Sequence, residues 1–464
     1  MPIHPDHGWE RSRNELWREI RHCTEVAFLA LAAAVLDSLA LEILETAHAP
    51  ERIQLASTLP GFETKGGVGR NLMSRTFPAD FWRLWSVGLI SSVVRWLETV
   101  VVGVVVYRET DSPFLVSVVT MLRLLPMGLF GAFLGAFVER FDRRLMLAAM
   151  MALLALTSVV LAMIAALGTL QVWHLAVGAL VNGFGWLTDN PLRRTMMGDS
   201  VGRERMSTAM ALDVVAQNVS RMIGPTLGGV LLVAGGIEGA FLASAGLYLL
   251  AVGATLSVRG HRVPASHAEP VLARVREGIA AVLANRRLAA ILAVTVVFNI
   301  FGWPFTSMIP VIGRDQLALG PEGVGLLTSI DGVGAFAGAL VLAWRLAPRL
   351  HAMAYVGGVA LYQLGIIAFA LAPSVVPASV ALLLTGLAGG AFATLQATLV
   401  YLAAPIEMRS RIMGVLSVCI GTGPLGFLWL GWLANRIGAP EATAITGALG
   451  LALLLALRPL WRPI

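Results

Sequence analysis

Long apolar stretches alternate with short charged segments along most of the chain. A membrane-spanning helix needs about 20 predominantly apolar residues, and stretches of this length recur from residue 81 to residue 457. Their spacing predicts twelve transmembrane helices, at residues 81–107, 113–138, 144–167, 170–190, 207–233, 237–258, 288–312, 322–345, 352–372, 376–402, 411–434 and 441–457. The pattern therefore predicts an all-α integral membrane protein.

The composition agrees with a bilayer as the solvent. The chain has 464 residues, of which 57% are hydrophobic and 13% are charged, whereas about half of a soluble globular chain is apolar. The net charge of +6 comes from arginine, since Lys65 is the only lysine. Because the arginines lie in short loops between apolar stretches, we expect them to set the membrane topology and not to bind nucleic acid.

The predicted loops alternate in charge. Arginine-rich loops follow the second, fourth, sixth, eighth and tenth predicted helices, and the pattern assigns Arg193 and Arg194 to one of them. The other loops of the twelve-helix body contain only Arg108, Arg314 and Arg436. Positively charged loops stay on the cytoplasmic side of a membrane. We therefore expect a multi-pass membrane protein with both termini in the cytoplasm. The strong bias towards arginine is typical of a GC-rich bacterial genome and favours the bacterial inner membrane.

Two short motifs recur at similar spacing in the two halves of the chain. Ser112-Pro113 begins the second predicted helix, and Gly320-Pro321 begins the eighth, 208 residues later. Arg203-Glu-Arg205 begins the fifth predicted helix, and Arg409-Ser-Arg411 begins the eleventh, 206 residues later. The similar offsets indicate a duplicated six-helix unit, which is one architecture of membrane transporters.

The duplication predicts two pseudo-symmetric six-helix bundles. The first covers residues 81–258 and the second residues 288–464, with a substrate site between them near the middle of the bilayer. Residues 259–287 form a predicted cytoplasmic linker. Its second part, from Val271, has the pattern of an amphipathic helix at the membrane surface.

Residues 1–80 lie outside the repeated pattern. The stretch 25–47 is apolar enough for a helix but carries Asp37, Glu42 and Glu45 in its interior, and as a membrane span it would leave four upstream arginines on the wrong side. The sequence favours a cytoplasmic or interfacial extension. A second interpretation is that translation starts at Met73 and that the upstream residues do not belong to the protein.

The charged segment between the second and third predicted helices resembles a known signature. Its sequence is Gly135-Ala-Phe-Val-Glu139-Arg140-Phe-Asp142-Arg143-Arg144, which is similar to the loop 2–3 motif of the major facilitator superfamily. The aspartate at the eighth position resembles the branch that contains bacterial siderophore exporters and macrolide-efflux proteins. The resemblance implies the major facilitator fold, a monomer, and a small molecule as the transported partner.

The same resemblance implies a gating role for this loop. Glu139 is then expected to contact the eleventh predicted helix, while Arg140 and Arg143 belong to a charge relay that opens and closes during transport. Charges at a helix end can reorganise cheaply as helical bundles rock. The alternative is that the loop, with Asp142 and Arg144, only anchors the topology.

A second resemblance lies on the fifth predicted helix. Gly224-Pro225-Thr-Leu-Gly228-Gly229 is similar to the core of the antiporter motif of the same superfamily. Proline removes a helix hydrogen bond and glycine lets helices approach closely. The motif implies export in exchange for an ion. The alternative is ordinary packing of small residues between membrane helices.

Five charged residues lie near mid-depth of predicted helices, where charge is costly and usually functional. They are Arg95, Glu98, Arg123, Arg221 and Asp331. We expect them to line one cavity between the two halves, with Glu98 and Asp331 as candidate proton carriers. The alternative is a static arginine–carboxylate pairing that holds helices together. A sixth charge, Asp213, lies closer to the cytoplasmic end and is predicted to be structural.

These features predict a secondary transporter that exports a small amphipathic molecule, such as a drug or a siderophore, against proton entry. The chain has no Gly-x-x-x-x-Gly-Lys-Ser/Thr phosphate loop and no His-Glu-x-x-His motif. We therefore expect neither an enzyme nor a cofactor, and an ion gradient as the driving force. Two alternatives are an importer and a non-transporting receptor or scaffold that uses residues 1–80 to bind its partner.

Overall fold

The computed structural model describes residues 77–138, 142–202, 205–259, 271–345 and 350–461 of the chain. These residues form α-helices with short helical turns between them, and the described ranges contain no strand. The predicted all-α fold is confirmed. The predictions for the N-terminal extension, for Glu139 and Arg140, and for the first part of the linker fall outside the described residues.

Five helices make up the first half of the chain. They are α1 (Ala79–Thr110), α2 (Pro113–Val138), α3 (Arg143–Ala166), α4 (Val172–Val201) and α5 (Met206–Leu256). Helix α5 contains the predicted fifth and sixth spans, which are separated where Gly236 leaves the helical conformation at φ 66° and ψ −171°. Glycine adopts positive φ without steric cost, so the chain can turn there between the two spans.

The second half contains shorter pieces. They are α6 (Val271–Ala284), α7 (Arg286–Val297), a π-helical turn (Phe298–Gly302), a 3-10 turn (Trp303–Met308), α8 (Ile309–Asp315), α9 (Pro321–Arg345), α10 (His351–Ala370), α11 (Val375–Ala403), a second 3-10 turn (Ile406–Met408), α12 (Arg409–Ile420), α13 (Gly423–Ile437), α14 (Ala439–Ala456) and α15 (Arg458–Trp461). The predicted linker helix ends at Ala284, because Asn285 caps α7 by accepting hydrogen bonds from the amides of Arg287 and Leu288.

The predicted seventh and eleventh spans are not continuous α-helices. The seventh runs from α7 through the π-helical and 3-10 turns into α8, and it contains Pro304 and Pro310, which lack an amide hydrogen. The eleventh is divided between α12 and α13, and Pro424 lies in the first turn of α13. Prolines at these positions interrupt the helices. Because they leave the apolar pattern unchanged, that pattern alone predicted uninterrupted helices.

Ten segments of the described chain are long and apolar enough to cross a membrane. One of them is α5, which holds two predicted spans, so these segments account for eleven of the twelve predictions. The predicted fourth span lies in α4, which is 30 residues long and carries Asn182, Asp189 and Arg193 among its buried residues. A helix with so many polar groups resembles a membrane span less than its neighbours do.

Two pairs of helices join the halves. Helix α5 of the first half packs along α9 of the second, and α2 of the first half packs against α13 of the second. Within the first half, α5 also packs along α1. The last residues of α2 and α4 and the first residues of α3 and α5 lie at one end of the bundle. We call this the basic end because the predicted arginine-rich loops lie there. At the other end, here the opposite end, α1 connects to α2. A cavity lies between the helix pairs.

Candidate functional site

The central cavity has a volume of about 210 Å³ and is lined by both halves of the chain. Its wall includes Arg95, Trp96, Thr99, Val100, Gly103, Val116, Thr120, Arg123, Leu124, Trp186, Gln217, Asn218, Arg221, Trp303, Thr306, Ser307, Pro310, Thr328 and Asp331. Ligand sites are typically concave and largely apolar, with a few converging polar groups. Four of the five charged residues predicted at mid-depth lie in this wall, and Glu98 does not.

An ion pair crosses the cavity region from one half to the other. Arg221 on α5 donates to Asp331 on α9, and the Arg221 guanidinium lies 5.4 Å from the centre of the Trp96 ring. Near this pair, the hydroxyls of Thr226 and Ser329 are 2.7 Å apart and join the same two helices. The second oxygen of Asp331 is buried and has no hydrogen-bond partner in the described structure. The pair therefore links the two halves, and Asp331 keeps one carboxylate oxygen that can accept a further hydrogen bond.

A second charged group leads from the cavity wall into the first half. Arg95 lies 3.4 Å from Asp189 on α4, and its guanidinium is 5.1 Å from the centre of the Trp186 ring. The other oxygen of Asp189 accepts from Arg193 at 3.1 Å. Arg193 in turn donates to Asp213 on α5. Arg95 in the cavity wall is thus linked to three further charged side chains.

This chain of alternating charges continues to the basic end. Asp213 also accepts a hydrogen bond of 2.7 Å from Arg194, whose side chain is 43% exposed. Asp189, Arg193 and Asp213 are fully buried. A removed partner would leave an uncompensated buried charge, which is strongly destabilising. The prediction that Asp213 is structural agrees with its two arginine partners.

The prediction that Arg193 lies in a loop is wrong. Helix α4 continues beyond the predicted end of the fourth span to Val201, and Arg193 lies inside it with no exposed surface. The sequence analysis placed Arg193 in a loop because it counted arginines near the end of a span as loop residues. The spacing of Asp189 and Arg193 by four positions, which places both on one helix face, was the signal available in the sequence. Gly88 on α1 faces the Arg193 guanidinium and leaves room for it.

We expect Gly88→Ala to destabilise the protein. The new Cβ would lie 2.3 Å from the guanidinium carbon of Arg193, so the buried arginine must move away from its two carboxylates. Breaking a buried ion pair costs about 3–5 kcal/mol, and the thermal unfolding temperature of the purified protein should fall. Gly246→Ala is the matched control, because its Cβ meets nothing within 4 Å. Equal unfolding temperatures for both variants would contradict the packing of Gly88 against Arg193.

Glu98 lies in a separate, smaller cavity inside the first half. This cavity has a volume of about 10 Å³, roughly the space of one water molecule, and is lined by α1 to α5, including Arg123 and Asn182. Glu98 accepts hydrogen bonds from the Ser158 hydroxyl at 3.0 Å and from the Asn182 amide at 2.9 Å. The sequence predicted one cavity for all five charges, whereas the structure has two. Arg123 lines both of them.

The described part of the loop 2–3 motif ties helices together at the basic end. Asp142 caps α3 by accepting from the amides of Arg144 and Leu145 at 2.9 and 3.1 Å. Arg143 forms an ion pair of 3.2 Å with Asp199 near the end of α4, and Arg144 donates to a backbone oxygen at the end of α5. Gly135 lies within α2. The predicted gating role of the motif stays a prediction.

The glycines of the antiporter-like motif lie at two helix contacts. Gly224 and Gly228 face α1, where an added Cβ would come within 2.6 Å of Trp96 and Leu97. Gly229 faces α9, where its Cβ would lie 2.5 Å from the backbone oxygen of Pro321. Beside them, Pro225 lies inside α5 and its carbonyl faces Gly325 of α9. The motif lets α5 contact a helix of each half at close range.

At the opposite end, side chains join the two halves directly. Arg314 pairs with Asp111 at 2.9 Å, and the Tyr107 hydroxyl donates to Asp315. The Ser112 hydroxyl also donates to Asn435 at 3.3 Å. These contacts, which we call the opposite-end contacts, lie between the cavity and that end of the bundle. Deeper in the bundle, the hydroxyls of Ser117 and Ser307 are 2.9 Å apart.

Two helical halves around a charged central cavity, with ten described segments able to cross a bilayer, define a multi-pass membrane protein. The sequence profile of the transmembrane secretion effector family matches residues 77–461. The chain therefore belongs to this family of the major facilitator superfamily. The resemblance found in the loop 2–3 motif is confirmed.

Relatives of known identity are distant. The chain is 21% identical over 271 residues to macrolide efflux protein A of Streptococcus pyogenes, a match covering 56% of this chain and 65% of that protein. The match therefore spans less than two thirds of that relative. The chain is also 20% identical over 362 residues to the staphyloferrin A transporter of Staphylococcus aureus, covering 76% of this chain and 89% of that protein. Both relatives agree with the branch that Asp142 indicated.

Solved structures share the fold. A bacterial homologue of the human lysosomal transporter Spinster, inward-facing and unoccupied, has a TM-score of 0.64 at 15% identity, covering 83% of this chain and 97% of that one. The nucleoside transporter NupG has a TM-score of 0.64 at 15% identity, covering 82% and 99%. At this level of identity the similarity establishes the architecture alone.

Proposed function

We propose that this protein is a secondary transporter of the bacterial inner membrane that exports a small amphipathic molecule by alternating access, in exchange for protons. The observation that carries the proposal is the central cavity, whose wall combines tryptophans with Arg95, Arg123, Arg221 and Asp331. Charges are costly in a membrane and mark pathways for substrates and ions. Transporters of this architecture place the substrate site between their halves at mid-membrane.

Alternating access requires that contacts between the halves can open and re-form. The opposite-end contact between Arg314 and Asp111 is suited to this, since the two side chains are 45% and 73% exposed. Exposed ion pairs contribute only about 0–1 kcal/mol. Two helix pairs, α5 with α9 and α2 with α13, can then act as the surfaces on which the halves rock.

The cavity wall supports an amphipathic substrate. Trp96, Trp186 and Trp303 offer flat apolar surfaces, and three arginines against one carboxylate in the wall favour a molecule that also carries polar or acidic groups. The names of the two relatives, a macrolide efflux protein and a staphyloferrin A transporter, are consistent with this chemistry. The name of the first, an efflux protein, also supports export as the direction.

The direct test is transport in everted membrane vesicles that contain the full chain. Labelled erythromycin and labelled staphyloferrin A serve as probes, and a protonophore collapses the proton gradient. We expect accumulation of at least one probe that stops when the gradient is collapsed. Inserted protein that accumulates neither probe would contradict the proposed substrate class, and accumulation in right-side-out vesicles instead would indicate import.

A deletion separates transport from a scaffold role. The variant without residues 1–72 retains every residue of the central cavity. We expect its efflux of the accumulated probe to match that of the full chain. Loss of efflux with normal insertion would favour the receptor or scaffold alternative, in which the N-terminal segment is the functional element.

A further inference from the structure

Glu98 lies in a small cavity that is distinct from the central cavity. We propose that Glu98 is the proton site of this transporter, and that Arg123 couples this site to the substrate cavity by moving between the two. The inference rests on the proposed proton-driven export, and it assigns the proton to Glu98 and not to Asp331.

Glu98 is enclosed by the first half alone. It is 6% exposed, and its neighbours come from α2 (Arg123), α3 (Ser158), α4 (Asn182) and the second part of α5 (Ser244 and Tyr248). Asp331, in contrast, lies in the wall of the central cavity and is paired with Arg221. A carboxylate that is separated from the substrate cavity can hold a proton without contacting the substrate.

The groups around Glu98 can satisfy both of its protonation states. Ser158 and the Asn182 amide donate to the two carboxylate oxygens, which suits the ionised form. The oxygen Oδ1 of Asn182 is buried and accepts no hydrogen bond in the described structure. The Ser244 hydroxyl also faces Glu98 and can donate to the carboxylate or accept from the protonated carboxyl. A protonated carboxyl has one O–H donor, and either oxygen can accept it. An unpartnered buried acceptor is costly. Its presence beside Glu98 therefore points to a state in which the Glu98 carboxyl is protonated and donates to it.

Few charged or titratable groups face Glu98. Arg123 approaches from α2 and Tyr248 from α5, while α3 and α4 contribute the neutral side chains of Ser158 and Asn182. Tyr248 is fixed by a hydrogen bond of 3.3 Å from the Asn182 amide to its hydroxyl. The charge of Arg123 is therefore the main variable that can favour or disfavour an ionised Glu98.

Arg123 belongs to both cavities and is bound to neutral acceptors. It donates to the backbone oxygen of Arg95 at 2.9 Å and to the hydroxyl of Thr99, and Thr99 lies in the wall of the central cavity. A molecule that occupies this wall displaces the guanidinium towards the small cavity, where an ionised Glu98 can pair with it. When the molecule leaves, Arg123 returns to Thr99 and Glu98 can hold a proton again. Substrate and proton then exclude each other, as exchange requires.

The proton site can be tested without a substrate. Full-length protein is reconstituted in lipid, and the C=O stretching band of a protonated carboxylic acid is followed by infrared difference spectroscopy during a pH titration. We expect a band that is absent in Glu98→Gln and present in the matched control Asp331→Asn. Loss of the band in Asp331→Asn with retention in Glu98→Gln, or retention in both, would overturn the assignment.

If Glu98→Gln does not fold, two further variants still test the proton site. Ser158→Ala removes one donor to the carboxylate, and Arg123→Gln removes the neighbouring charge. Each should move the midpoint of the band, the latter by about one pH unit, which corresponds to ~1.4 kcal/mol of interaction. Arg123→Lys, which keeps the charge, should stay closer to the wild type. Unchanged midpoints in Ser158→Ala and Arg123→Gln would refute the role of this cavity.

Transport in proteoliposomes tests the coupling. With erythromycin or staphyloferrin A, whichever is moved, Glu98→Gln should still exchange labelled for unlabelled probe but should lose the acceleration that a pH gradient gives the wild type. Full acceleration in Glu98→Gln would overturn the proposal. If neither probe moves in the wild type, the proposed substrate class fails, and the infrared titration still decides whether Glu98 binds the proton.

Discussion

Asp331→Ala should destabilise the protein by about 3–5 kcal/mol, because it leaves the Arg221 guanidinium without its carboxylate in a largely buried site. The side chain of Asp331 is only 3% exposed and that of Arg221 is 23% exposed, so water cannot replace the lost partner fully. Thermal or denaturant unfolding of the purified protein measures this effect. Transport should fall as well, since the pair joins α5 to α9 across the cavity.

The double variant Arg221→Met/Asp331→Leu provides the control. Replacing both members of a buried pair by apolar side chains is often close to neutral for stability, so most of the lost stability should return while transport stays low. The coupling energy from the double-mutant cycle then reports the pair itself. Additive single effects, with no recovery in the double variant, would show that the two residues do not depend on each other.

Gly229→Leu should separate the halves at the α5–α9 contact. An added Cβ would lie 2.5 Å from the backbone oxygen of Pro321, and backbone cannot yield as a side chain does. Overpacking of this kind costs roughly 1–3 kcal/mol, which shifts a two-state equilibrium about five- to 150-fold. We expect the population to move towards conformations that are open at the opposite end.

Cysteine labelling can detect this shift. A cysteine introduced at Ser117 lies behind the opposite-end contacts, next to Ser307. Its reaction with a water-soluble maleimide should be faster in the Gly229→Leu background. Gly246→Leu, at a glycine with open space around it, is the matched control and should react as the parent does. Equal rates in all three proteins would show that the α5–α9 contact does not control opening.

The sequence predicted much of the architecture, because long apolar stretches are a strong signal in membrane proteins. Eleven of twelve spans lie in segments able to cross a bilayer, and the exception is α4. Proline-containing turns in the seventh and eleventh spans were missed, since hydropathy does not distinguish a helix from a broken one. Arg123 and Asp331, which come from different halves of the chain, line the same cavity.

The polar interior was harder to predict. Arg95 and Glu98 are three positions apart and were predicted to line one cavity, but three residues rotate a helix by about 300°. The two side chains therefore point in directions about 60° apart. Because α1 is buried on most sides, this angle is enough to place Arg95 at the central cavity and Glu98 at the small one. Asp189 and Arg193 were missed because arginines near the end of a span were counted as loop residues.

The opposite-end contacts and the buried charges respond differently to the surrounding solution. Salt screens exposed charges over a Debye length of about 8 Å at physiological ionic strength, and buried pairs much less. The pair of Arg314 and Asp111 is therefore weakened as the salt concentration rises, while the chain from Arg95 to Asp213 is affected much less. The medium on one side of the membrane can thus tune how readily the halves part, without altering the charged interior.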